Sequence, residues 1–154
     1  MGKAYAFRRK IGAPMPRGGS AGHVGWGFAL PHGKGFTCGA TENPRALPWL
    51  AAGDDNGAWI ETVDSEVELV AQMRSRGYDD YKFHETLLGN VERASIVAEN
   101  CMVVGYSFAG NNCLDHAYQV LVQYGVLDLP LPLELGYPNP WFDALRWESR
   151  IIEQ

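Results

Sequence analysis

No apolar run in this chain reaches the roughly 20 residues a helix needs to cross a bilayer. Cysteine is scarce: there are three, Cys38, Cys101 and Cys113, in 154 residues. An odd count in a chain of this size argues against a disulfide framework and for a reducing compartment. Positive charge is in short supply as well. Thirteen Lys and Arg stand against 18 Asp and Glu, a formal net charge of -5. That balance argues against a nucleic-acid partner held mainly through phosphates and disfavours anionic polymers and membrane surfaces. The basic cluster FRRK at 7–10 is too small to reverse it. The first stretch, MGKAYAFRRKIGAPMPRGG, has no apolar segment leading to a small-residue cleavage site, so it does not read as a secretion signal. Ala6 stands where a myristoylation motif needs Ser or Thr. A cytoplasmic protein is the expectation, although leaderless export would leave the same trace.

What is present is an ordinary globular composition, 46% hydrophobic and 20% charged, long enough for one domain over 1–154 with a real core. Period-two alternation predicts strands at 3–9, at 23–30 and at 36–41, the last two joined as a hairpin through PHGKG. Residues 42–59, with two prolines and an Asp-Asn-Gly turn, read as a long loop of functional length. Residues 64–77 carry the start and stop signals of a helix, with Asp64 or Ser65 as cap, Gly77 as stop and an apolar stripe of Val67, Val70, Ala71 and Met73. A strand is expected from Tyr81 to Glu85 and a helix from about Leu88 to Val103. A turn-rich connector leads to a helix opening at Cys113 and ending at Gly125, with Leu114, Ala117, Tyr118, Leu121 and Val122 inward. After an extended proline-rich segment, PWFDALRWESRII predicts a closing helix with Pro140 in its first turn. The order gives an α+β fold, a small antiparallel sheet packed with helices. Its core is expected over 22–125, with 126–154 packing on it.

The stretch AGNNCLDHAYQVLVQYG, 109–125, holds the chemistry. The plain reading of Cys113 is a small apolar residue beginning a core helix. The sharper one is a thiolate nucleophile, stabilised by the partial positive charge of a helix N-terminus whose free N–H groups also suit an oxyanion. Asn111 or Asn112 is the expected cap, and Asn112 would position the nucleophile. Four histidines are available as base. His116, three residues along the same helix, would point along it rather than across a cleft. His32 falls in a turn, and His84 lies on the strand face opposite Tyr81, Phe83 and Glu85. His23 opens a strand whose same face carries only Gly25, Gly27 and Ala29, which leaves room for a helix or a substrate to approach. His23 is therefore the chosen base. Two metal readings fail on spacing: Ala52 and Val63 fall where a calcium loop needs acids, and Cys113, His116, Cys101 and His84 lack a paired ligand motif.

The order of GHVGW, a second strand, intervening helices and then YSFAGNNCLDHAYQVLVQYG resembles the circularly permuted papain-like cysteine hydrolases. These are the permuted relatives of NlpC-type endopeptidases, a group that includes the lecithin:retinol acyltransferase-like enzymes. The resemblance spans about residues 22–125 and implies a permuted papain-like architecture in which Cys113 is the nucleophile and His23 the general base. It also implies a third polar group after the histidine strand to orient the imidazole. FTCGATEN has no histidine there. Thr37, Glu42 and Asn43 are available, and Glu42 is the best electrostatic partner. Trp26, Trp49 and Trp59 are candidates, with Thr37 and Asn43, to shape the substrate pocket. The expected activity is that of a cysteine amidase or peptidase on a peptide or acyl-amide, with no cofactor or metal. The alternatives are a catalytically silent binding module on the same fold and a thiol acyltransferase or lipid esterase.

Overall fold

The computed structural model describes residues 1–154. Its centre is β1 (Gly2–Arg9), a strand buried on both sides. Ala4 and Ala6 enter one apolar cluster, while Tyr5 and Phe7 enter another. This is the alternation a pleated strand imposes when both faces are covered. On one side β1 pairs with β2 (His23–Ala29), which pairs with β3 (Phe36–Thr41) and through it with β5 (Ala58–Val63). On the other side β1 pairs with β6 (Asp80–Thr86), which carries β8 (Glu148–Ile151). The result is a six-stranded antiparallel sheet in the order β5-β3-β2-β1-β6-β8. A separate two-residue ribbon joins β4 (Trp49–Leu50) to β7 (Tyr106–Ser107).

Helices cover both faces, so the fold is α+β. On one face α1 (Glu66–Ser75) sends Leu69 and Met73 onto Tyr5, Phe7 and Cys38. On the other, α2 (Val91–Cys101), α3 (Cys113–Tyr124) and α5 (Pro138–Ala144) bury Ala98, Leu114, Leu121, Trp141 and Phe142 against Val24, Trp26 and Phe28. One short turn of helix, α4 (Pro132–Leu135), precedes α5. Each fully buried large apolar side chain contributes about 1.5–3 kcal/mol relative to exposure. The core reaches beyond 22–125, since Ala4, Ala6, Trp141, Phe142 and Leu145 belong to it.

Several local expectations need correction. The loop expected over 42–59 gives way to β4 at Trp49 and to β5 from Ala58. The closing helix stops at Ala144, where Leu145 turns to ψ 120, and Glu148–Ile151 becomes an edge strand instead. In α1 the inward stripe is Leu69 and Met73, while Val67 is 80% exposed. In α3 the buried side chains are Cys113, Leu114, His116, Ala117, Val120, Leu121 and Tyr124. That face is rotated from the expected one toward a polar residue, His116, for a reason found at the site.

Candidate active site

Three neighbouring strands deliver polar side chains to one end of the sheet. Arg9 of β1 lies directly opposite His23 of β2. The β2–β3 register sets Trp26 against Gly39, and continuing it sets His23 against Glu42. Side-chain parity then puts all three on the α1 face, Arg9 with Tyr5 and Phe7, Glu42 with Cys38 and Ala40. The small residues of β2 serve this face, but not by admitting a substrate. A side chain at Gly25 would strike Met73 and Tyr78, and one at Gly27 would press on Phe7 and Leu69. The glycines let α1 and Tyr78 sit close beneath His23.

Glu42 is the hub. Its Oε1 accepts from Trp59 Nε1 at 2.9 Å and from the Tyr78 hydroxyl at 3.2 Å. Its Oε2 accepts from Arg9 Nη2 at 3.1 Å and stands 3.1 Å from His23 Nε2. Burial pushes this carboxyl up, but His23, Trp59 and Arg9 together outweigh it and hold it down at about 2. Nε2 makes no aligned hydrogen bond, so its nearness to the carboxylate is a charge contact, and Cys113 is the other charge neighbour of the ring.

Cys113 is the first residue of α3, on the opposite face of the sheet, and reaches His23 around the end of β2. Asn112 caps the helix, its side chain accepting from the N–H groups of Leu114 and Asp115 while Asp115 accepts from the Asn112 N–H. This reciprocal cap fixes the helix start to the residue. The Asn112 side chain is thereby occupied, and it positions the nucleophile only through the backbone. The first-turn donor left over is the Cys113 N–H, which faces the Tyr106 hydroxyl.

His23 and Cys113 are each 6% exposed. Burial disfavours charge on both. Their mutual attraction and hydrogen bond, helped on His23 by Glu42 and on Cys113 by the backbone at Val24, outweigh it. The imidazole is raised to about 9 and the thiol is lowered, each by the charge of the other. Cys38 and Cys101 go the other way, both pushed up to about 12 by burial.

His116 has a structural place. Its Nδ1 lies 2.5 Å from Thr41 Oγ1 and its Nε2 lies 2.6 Å from Asn111 Oδ1. A ring that donates from Nε2 to the amide oxygen and accepts the Thr41 proton at Nδ1 is neutral. Burial also holds it down at about 4. It ties α3 to the last residue of β3, so Thr41 fastens the helix that carries Cys113 while Glu42, one residue on, stands against His23.

The pair floors a cleft of about 320 Å³. Gly12, Ala13, Pro14 and Gly22 line it on the loop before β2, and Asn43, Pro44 and Ala46 on the loop after β3. Tyr106 and Phe108 come from the segment before α3. Of the pocket candidates, Asn43 is on this wall, held at φ 41 and bonded in both directions to Leu47. Trp26 and Thr37 are not. Trp26 has the opposite parity and stacks on Phe28 in the α3-side core, and Thr37 pairs with Thr62 within the sheet. Trp49 stands opposite Ser107 and so projects from the ribbon face away from Tyr106 and Phe108, while Trp59 holds Glu42. A larger groove of about 730 Å³, lined by His84, Leu88, Leu127 and Trp147, lies at the other end of β1, and no cysteine lines it. No group of three or more His, Cys, Asp or Glu stands close enough to hold a metal ion.

No protein-family model, curated protein or solved structure matches the chain. Arg9, Tyr78, Tyr106 and Phe108 were not anticipated from the sequence. The first is recoverable from strand parity once β1 and β2 are paired; Tyr78 and Phe108 follow or lie in turns, and Tyr106 lies in the two-residue strand β7, all placed only by the folded chain.

Proposed function

We propose that this protein is a cysteine hydrolase of the amidase or peptidase type, in a permuted papain-like arrangement with Cys113 as nucleophile, His23 as general base and acid, and Glu42 as orienting group. One observation carries this reading: the buried His23 ring has a partly buried carboxylate 3.1 Å from Nε2 and a buried thiol whose acidity it raises. His116 in the same molecule illustrates the contrast, neutral between two uncharged partners.

The thiolate attacks a substrate carbonyl, forming an S–C bond and an oxyanion. The Cys113 N–H, at the positive end of α3, and the Tyr106 hydroxyl supply donors for that oxygen. Collapse of the intermediate breaks the C–N bond, and the imidazolium gives its proton to the departing amine. Water then attacks the thioester, His23 takes its proton, the acid departs and the ion pair is restored. Glu42 keeps Nε2 engaged throughout, so the ring cannot turn from the sulfur. Transfer to an alcohol or amine in place of water follows the same path, so an acyltransferase needs no different site.

Alkylation of the native protein by iodoacetamide across pH, with mass-spectrometric location of the label, tests the reading. Cys113 is expected to react first, at pH values below the ordinary thiol range, with Cys38 and Cys101 silent. His23→Ala is expected to return the Cys113 profile to an ordinary thiol near 8.5. Equal labelling of the three cysteines, or an unmoved profile in His23→Ala, would sink the proposal.

A further inference from the structure

Every ionisable group in the cleft already has its partner inside the cleft. The lining contains Arg9, Glu42, His23 and Cys113, and these form two opposed pairs, Arg9 with Glu42 at 3.1 Å and His23 with the Cys113 thiolate. The remaining walls are Gly, Ala and Pro, with Asn43, Tyr106 and Phe108. Asn43 carries no charge and is held by Leu47 and Tyr106. A substrate group that entered with a charge would lose its water and find no free counter-charge, a cost buried ions rarely meet. An uncharged group meets no such penalty.

Phe108 gives that group a surface. It continues the line of β7, its N–H bonded to Pro48 O at 3.2 Å and its carbonyl accepting from Asn112 Nδ2 at 3.2 Å. Its backbone is therefore held on both sides and tied directly to the cap of α3. The ring packs edge-on against Tyr106, with centroids 5.7 Å apart. It nevertheless remains 48% exposed. A half-open aromatic ring on a held backbone, lining the same cleft as Cys113, Pro44 and Ala46, has the form of a specificity surface. At about 320 Å³ the cleft is at the small end of ligand sites, which run from roughly 300 to 1,000 Å³.

Resting on the hydrolase reading, we propose that the site selects substrates whose acyl side is uncharged and apolar, and that Phe108 is the specificity-determining residue against which that acyl side chain packs. The reaction chemistry is unchanged; the ring raises the rate for an apolar acyl group by binding it as the thiolate attacks.

The test uses the full chain and four chloromethyl ketones that differ only in the side chain next to the ketone: acetyl-leucyl, acetyl-glycyl, acetyl-aspartyl and acetyl-lysyl. Second-order inactivation rates are followed by mass at Cys113. The leucyl probe is expected to exceed the glycyl probe by about tenfold, the scale on which apolar pockets discriminate, and both charged probes are expected to fall below the glycyl one. In Phe108→Ala the leucyl-to-glycyl ratio should drop toward one, and Phe108→Leu should restore most of it. Because the ratio is taken within one variant, a general loss of reactivity cancels. A charged probe that reacts fastest, or a ratio that survives Phe108→Ala, overturns this inference while leaving the nucleophile standing. Iodoacetamide that fails to single out Cys113 overturns the hydrolase reading itself.

Discussion

Glu42 shows how a single side chain sets the behaviour of its neighbours. It bonds or pairs with four groups from β1, β2, β5 and the turn after α1. Replacing it by Gln removes the negative charge that helps hold the proton on His23. The imidazole is expected to titrate below about 9 and Arg9 to lose its partner, while the Cys113 thiol loses a nearby carboxylate charge that opposes its ionisation. The pH profile of Cys113 alkylation is therefore expected to move, most of all on its His23 limb toward lower pH; an unmoved profile would show that Glu42 does not act on the pair. The residue itself was within reach of the sequence. Its same-face spacing from Cys38 and Ala40, together with a hairpin register fixed by PHGKG, is enough to set it opposite His23. The difficulty was that it lies one residue past the strand, where parity is easily lost; the Glu42 N–H to Gly57 carbonyl bond is what continues the ladder. Arg9 was legible in the same way, whereas Tyr78 arrives through a turn at Gly77, for which no pattern in the chain fixes a partner.

Among the elements, α3 was the most legible because its signals agree. Asn112 and Asp115 form the capping box, and Gly125 closes it at φ 112. Asn112→Ala is expected to cost about 1 kcal/mol of stability, read as a shift in the urea midpoint. It is also expected to make Cys113 less acidic, because a frayed first turn no longer directs its N–H groups and dipole at the sulfur. A stability loss with an unchanged thiol titration would mean that the helix start does not contribute to the activation. Of the elements missed, β5 and β8 are the two edges of the six-stranded sheet. All four residues of β8 are exposed, so no apolar alternation marks it, and the preceding Trp141, Phe142 and Leu145 carry a helical spacing into it. Backbone pairing to β6 and the buried Ile152 hold it instead. Those are tertiary contacts, which local periodicity does not encode.

For the molecule as a whole, the buried titratable groups set a pH window. His116 titrates at about 4 when folded, against an ordinary 6.5. Between these values the unfolded chain binds the extra proton, so stability falls as pH drops from about 6.5 through about 4, by on the order of 3 kcal/mol. His23 is displaced the other way. Its contribution is complete below 6.5 and is lost as pH rises through about 9. Glu42 contributes fully above its ordinary 4.5 and gives way only as pH falls through about 2. Stability is therefore expected to peak near pH 6.5 and to decline on both sides, measured as denaturant midpoints from pH 4 to 10. His116→Gln should flatten the acid side, and an acid limb unchanged in that variant would remove His116 as its source.

The separation of His23 from Cys113 by ninety positions in the chain has a temporal consequence. During synthesis the histidine strand leaves the ribosome long before the cysteine, and the cysteine in turn precedes Trp141 and Phe142, which complete the core beneath the helix. Until the last of these docks, nothing holds the imidazole at the sulfur, and the thiol keeps the modest reactivity of any free cysteine, with a pKa near 8.5. On the hydrolase reading, completion of folding is itself the activating event, and the acidity of one thiol records whether it has occurred.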